Sequence, residues 1–431
     1  MVLSACTAVR PARAVPLLEC AAALAEPAAR QEVAVAMAEA GAPTRAWALL
    51  QAADAQPSWP LAFEVVARAA AEAGDVALVE AITRAAAGEW GQRSRETLEV
   101  RRAASLGYLR AGRQSRARNE AEAAGARAPW LDGAALLHGR GESRQAKEWL
   151  ERALGALDEW SALPAAELAR KVGATEQARV ALRRLALPGR DARVAAAAFL
   201  VGDAARAREE LGGTLGGLST AVRALARHGM TAEVDALLAG QLPFERAQAL
   251  AHLASLGDDA RWADSAAAAQ QIDEPHTRAW TWVTLARVRR ASDPRETEAW
   301  MRLAEQEAAR LHEDDRDELL VEGWAQAGEC ARAVEFAAGR PRFLLIAVSL
   351  CREPSHLDLL ERERDRLDGR ARDEVTGRLV ETALALGQAA RATRLAATLR
   401  PPLLVRALVA LALEHAEVSP ALFPSCGARE P

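Results

Sequence analysis

At 431 residues the chain is long enough for about three globular domains, unless it is a repeat array in which each unit packs only on its neighbours. Its 55 basic and 59 acidic residues sum to −4, with a pI near 6.1, which removes any global electrostatic pull toward nucleic acid or an anionic membrane. Half of the residues are hydrophobic, and much of that share is alanine, the best helix former, so close helix packing is favoured over a core of large side chains.

In chain order, the opening MVLSACTAVRPARAVPLLECAAALAE sets arginines before a short apolar run, as a secretory signal does. Glu19 interrupts the run and helical periodicity continues through it, so residues 1–29 read as an N-terminal helix that caps the array. From about residue 30 a glycine or its substitute recurs at Gly41, Gly74, Gly112, Gly141, Gly173, Gly202, Gly229, Gly257, Ser292, Gly328, Glu353 and Gly387, at separations of 25 to 38 residues. That spacing fits two short helices and two turns, the period of a solenoid. Five residues beyond the glycine an alanine often follows, as at Ala46, Ala117, Ala146, Ala178, Ala207, Ala333 and Ala392. A small residue there lets the second helix approach the first, and a large apolar residue three or four positions later completes the stripe.

The clearest copy is Phe244 to Val288. A helix carrying Leu250, Leu253 and Leu256 stops at Gly257, an alanine-rich helix runs to Ile272, and the pattern restarts at Pro275. The piece LGGTLGGLST, 211–220, lacks the G-K-[ST] of a phosphate loop and reads as a loop between repeats. Strand signals are absent. The last helix, PLLVRALVALALEHA at 402–416, is apolar nearly all round, as is the first. Such a face calls for a cover: a symmetric second copy, which would make a homodimer, another protein, or the proline-punctuated tail 417–431, which reads as disordered. The domains expected are thus 1–29, a solenoid over 30–416, and the tail.

Reactive constellations are missing, so no catalytic residue, cofactor or metal is expected. Cys6, Cys20, Cys330, Cys351 and Cys426 are an odd number with no C-x-x-C, which points to reduced thiols and a cytoplasmic chain. The seven histidines lie in different units, none three or four residues from another histidine or a cysteine. The cluster His312 to Asp315 suits the start of a helix, where negative charge meets the helix dipole. Ser219, Ser265 and Ser349 lack elbow glycines. Lys147 and Lys171 are the only lysines; the arginine excess fits a GC-rich, bacterial coding bias and is poor evidence for phosphate recognition.

The G-x-x-x-x-A turn between paired helices resembles the tetratricopeptide repeat, with Phe63 at the family's early aromatic position and Tyr108, or loosely Trp324, at its late tyrosine. The match is degenerate, because the proline closing the second helix is mostly missing and many units fall short of 34 residues. A HEAT-like repeat is the competitor, supported by RDARVAAAAFLVGDAARAREEL at 190–211. Either resemblance implies an all-α, right-handed superhelix of about a dozen antiparallel helix pairs. The tetratricopeptide resemblance further implies ligands on the concave face lined by first helices. Registered on the turn glycine, that face would carry Trp282, Arg289 and Arg290, with Trp282 and Arg289 two turns apart. On the next first helix it would carry Asp315, Glu318 and Glu322. Glu167 with Arg170, and Arg102 with Arg110, are weaker candidates. Trp280 and Trp282 cannot both face one core, so one packs and the other is partly exposed, while Trp47, Trp149 and Trp300 fall at core positions of second helices. The expected function is a non-catalytic scaffold binding a peptide or protein, without nucleic acid or a membrane span. RNA binding by a helical-repeat surface is the alternative from another class, and a HEAT-like lyase or its accessory subunit rests on fold analogy alone.

Overall fold

The computed structural model describes residues 11–52, 60–125, 129–185, 190–211, 217–351, 354–401, 403–413 and 423. Among them every regular element is an α-helix. The chain begins with α1 (Pro11–Leu24), α2 (Pro27–Glu39), α3 (Pro43–Gln51), α4 (Pro60–Ala73), α5 (Val76–Trp90), α6 (Arg95–Arg110) and α7 (Gln114–Ala124). It continues with α8 (Trp130–Gly139), α9 (Ser143–Leu154), α10 (Ala162–Val172), α11 (Thr175–Arg184), α12 (Ala192–Leu200), α13 (Ala204–Glu210) and α14 (Leu218–Arg227). Then come α15 (Thr231–Leu238), α16 (Pro243–Ser255), α17 (Arg261–Gln270), α18 (Pro275–Arg289), α19 (Pro294–Ala308), α20 (Glu313–Ala327) and α21 (Cys330–Ala337). The last are α22 (Pro341–Leu350), α23 (Pro354–Asp365), α24 (Gly369–Ala385), α25 (Ala389–Ala396) and α26 (Leu403–Leu413).

Helices α2 to α25 make twelve consecutive pairs, in which an even-numbered first helix is followed by an odd-numbered second helix folded back on it. This is an α-solenoid, and the turn chemistry explains it. At Gly112, with φ +73°, the left-handed conformation lets the Arg113 N–H donate to the Tyr108 carbonyl at 2.8 Å and the Gly112 N–H to Leu109 at 3.0 Å, satisfying carbonyls that the end of α6 leaves open. The alanines at the fifth position beyond the turn, Ala46, Ala117, Ala146, Ala178, Ala207, Ala333 and Ala392, are all fully buried where the second helix meets the first. Trp47, Trp149 and Trp300 are core residues, Trp47 edge-on to Phe63 at 5.3 Å and Trp149 edge-on to Trp130 at 4.9 Å. One detail of the stripe on α16 differs from expectation: Leu250 and Leu253 are buried, but Leu256, next to the turn, is 55% exposed.

The chain divides into two compact units, one spanning residues 130–337 and the other built from both ends of the chain. In the central unit the first helices α8, α10, α12, α14, α16, α18 and α20 each pack on the next, whereas beyond α9 and α11 the second helices barely meet. From α10 onward the first helices therefore form the tightly stacked side of this unit.

In the other unit the chain ends pair with each other. Helix α26 lies on α24 and α2 as a first helix does, and α1 packs along it as its second helix. Leu404, Val405, Leu408 and Leu411 of α26 and Leu17, Leu18 and Ala21 of α1 are buried, and Arg406 pairs with Glu32 of α2 at 3.2 Å. The apolar last helix is thus covered by the chain's own first helices, which removes the reason for expecting a homodimer through it, and residues 11–24 complete a pair instead of capping an open end. Of the tail expected to be disordered, Phe423 is the described residue, and it is buried; the rest lies outside the described residues, as do Glu353 and 212–216 of the glycine-rich piece. The expectation of reduced thiols is also corrected, because Cys20, Cys330 and Cys351 are disulfide-bonded. The cysteine argument for a cytoplasmic chain goes with it.

Candidate functional site

The central unit carries a polar strip across its first helices. Helix α12 is short and rich in alanine, with Ala192 and Ala195 to Ala198 buried, and side chains of its two neighbouring first helices meet across it. Glu167 on α10 reaches across to Arg227 on α14 at 3.0 Å, with the His228 Nε2 3.9 Å from the same carboxylate oxygen. Burial and then the positive charge of Arg170 push the His228 pKa down.

Beyond α14 the strip runs through Arg223 on α14, His252 on α16, Arg287 on α18 and Glu322 on α20. Arg223 and Glu322 stand six residues before Gly229 and Gly328, and His252 and Arg287 five before Gly257 and Ser292, so four consecutive first helices present polar groups within one residue of a common register, close enough to feel one another's charge. Burial first, and then the charges of Arg223 and Arg287, hold the His252 imidazole below its ordinary pKa of 6.5. Burial and then Glu318 push the Glu322 carboxyl up, against the pull of Arg287, and Glu322 accepts a hydrogen bond from the Gln326 amide at 2.6 Å. Among the described residues neither Arg223 nor Arg287 has a carboxylate within ion-pair distance; the Arg223 guanidinium donates only to the Ser219 carbonyl of its own helix, at 3.3 Å.

The same face continues toward the N-terminal ends of α16 and α18. Phe244, Gln248 and His252 recur every four residues along α16, and His276 and Trp280 continue into Arg287 on α18. Between the two helices lies a cleft of about 620 Å³ with Leu242, Phe244, Ile272 and Trp280 among its apolar walls and Gln248, Asp273, Glu274 and His276 among its polar ones. Leu242 is 46% exposed. Glu274 is engaged in capping α18, accepting from the His276 N–H at 2.9 Å and from Thr277, and those hydrogen bonds hold its carboxyl below the usual range.

The sequence-derived site residues separate into two groups. Trp282 is 3% exposed and packs against Trp300 with ring centroids 6.3 Å apart, so it is a core residue and closed to a ligand; Trp280, two positions earlier, is the tryptophan that opens onto the face. Arg289 is a structural tie, bonded to Glu296 at 2.7 Å with its guanidinium 4.7 Å from the Trp262 ring centroid. Arg290 lies over the Gly328 turn, where an added Cβ would fall 2.2 Å from its guanidinium carbon. Asp315 is exposed, and Glu318 and Glu322 are half-buried on one face of α20, with Glu322 on the strip. Glu167 belongs to it as well, whereas Arg102 and Arg110 are paired with Glu99 and Glu72. Arg223, His252, Arg287 and Phe244 were not singled out by the sequence as site residues, although counting back five or six residues from each turn marker finds the first three.

No group of three or more metal-ligating side chains stands together among the described residues, and no described helix is long and apolar enough to cross a membrane. No protein-family model matches the chain, and no curated protein matches it. Among solved structures, a circular tandem repeat protein with novel repeat topology and enhanced subunit contact surfaces is 18% identical over 96% of this chain and 95% of its own, with a TM-score of 0.15. A likeness at that score carries no argument here, and the assignment to helical repeats rests on the paired helices themselves.

Proposed function

We propose that the chain is a non-catalytic scaffold of tetratricopeptide-like helix pairs, which holds a peptide or protein partner on the first-helix face of its central unit. The observation that supports this reading is the polar strip contributed by α14, α16, α18 and α20, in which Arg223 and Arg287 have no carboxylate partner in ion-pair distance among the described residues. Most arginines on this scaffold are used internally, as Arg289 is, so two cations left open beside an apolar cleft are suited to recognition. Glu318 and Glu322 keep their place in the proposed surface, with Asp315 at its edge. Glu167, Glu318 and Glu322 interrupt the basic character that a helical-repeat RNA reader requires, which disfavours the alternative.

Site-directed photocrosslinking in extract of the native host tests the proposal. A photoreactive residue at position 248, in the cleft, is expected to crosslink to protein, and one at position 144, on the outward second helix α9, is not. Crosslinks from position 144 alone would overturn the assignment of the face.

A further inference from the structure

The chemistry of the face specifies its ligand further, given the function proposed above. We infer that it takes an extended acidic peptide segment, which sets a bulky apolar side chain into the cleft between Phe244 and Trp280 and a carboxylate against Arg223 and Arg287. Trp280 is partly exposed and lines the cleft, so part of the indole is available to an incoming side chain. From Trp280 to Arg287 is seven residues of helix, roughly 10 Å at a rise of about 1.5 Å per residue. An extended chain covers that distance in about three residues at roughly 3.3 Å each.

The charge is set by the surroundings. Arg223 and Arg287 flank His252, whose own burial and then their positive charge hold its pKa down, and the strip's Glu322, though it feels Arg287, makes no ion pair with either guanidinium. One carboxylate satisfies them with charge-assisted hydrogen bonds. A nucleic-acid strand would have to pass Glu318 and Glu322 on one side and Asp273 and Glu274 on the other, and the repulsion of successive phosphates makes a peptide with a single local charge the better fit.

Three pools of fluorescein-labelled eight-residue peptides test this by anisotropy on the full chain. One carries leucine or phenylalanine with glutamate three positions away in either direction, the second has lysine in place of glutamate, and the third has alanine in place of the apolar residue. The glutamate pool is expected to bind at least tenfold more tightly than either of the others. Arg223→Ala with Arg287→Ala removes its advantage over the lysine pool, and Trp280→Ala weakens it at least tenfold, with far-UV circular dichroism and thermal midpoint unchanged. Equal binding of the pools, no binding of any, or binding insensitive to these variants overturns the inference. So does tight binding of a labelled twelve-nucleotide oligouridine that the double arginine variant abolishes. A preference for the lysine pool that Trp280→Ala still abolishes overturns the acidic ligand alone and leaves the face standing, whereas crosslinks confined to position 144 overturn the face itself.

Discussion

Trp280 and Trp282 differ by two positions on α18 and by almost everything else. Trp282 sits in the aromatic core with Trp300 and, through it, Trp262, so Trp282→Ala is expected to cost about 3–5 kcal/mol in urea denaturation. Trp280→Ala should cost less than about 1 kcal/mol and act on binding instead. Helical geometry requires that one of the pair pack and one be open, but only the neighbouring helices decide which, and the tryptophan nominated from the sequence is the one they bury. His252 adds a pH signature. Its folded pKa lies below its unfolded one, so the unfolded chain binds the proton more tightly, and the associated stability, present above about pH 6.5, is lost as pH falls through the folded value. Glu64, Glu245 and Glu322 are shifted up by burial and act oppositely, giving stability that is lost as pH rises through their raised values. Comparing urea midpoints between pH 7 and pH 5, His252→Gln should flatten the fall seen in the parent chain. An acidic peptide bound at Arg223 and Arg287 should raise the His252 pKa, read from its imidazole proton shifts.

At the scale of the helix, the fold depends on close approach where the sequence supplies glycine or alanine. The turn glycines and the alanines five residues on were legible because their reasons are local: a left-handed residue ends a helix, and a small side chain admits its partner. Gly107 is of another kind, since a Cβ there would stand 2.4 Å from the Arg68 carbonyl oxygen of α4. Gly107→Ala therefore forces α6 off α4 and is expected to destabilise by about 1–3 kcal/mol, against the small gain that Gly→Ala brings in an unhindered helix. The pairing of α26 with α1 was not legible. Sequence pattern shows that α26 is apolar nearly all round and needs cover, but the cover comes from the far end of the chain, and no local spacing encodes that contact. Removing residues 1–24 should expose Leu404, Leu408 and Leu411, raise binding of an apolar dye and promote association in light scattering. A synthetic peptide of residues 1–26 added in trans should reverse both effects. A truncated chain that stays monomeric and dye-silent would show that α26 is covered some other way.

Over the whole molecule, covalent links and a near-balanced charge matter more than any one repeat. With Cys20, Cys330 and Cys351 disulfide-bonded among the described residues, thiol titration of the denatured, unreduced protein should find no more than two free thiols per chain, and five after reduction. Three or more before reduction would return the chain to the reduced state its cysteine spacing suggested. The small net charge leaves recognition to local arrangement, and local arrangement concentrates on the first helices of the central unit. Part of the proposed site was open to a reading of the sequence, since Glu318 and Glu322 follow from the tetratricopeptide resemblance registered on the turn glycine. Arg223 and Arg287 do not stand out among so many arginines until the structure sets them around His252 on the face that carries the cleft. The most direct test is arginine footprinting with phenylglyoxal, read by mass spectrometry with and without the tightest-binding peptide of the glutamate pool. Arg223 and Arg287 are expected to be protected while Arg144, 92% exposed at its side chain on α9, reacts unchanged; protection of second-helix arginines with Arg223 and Arg287 still reactive would place the peptide on the other face.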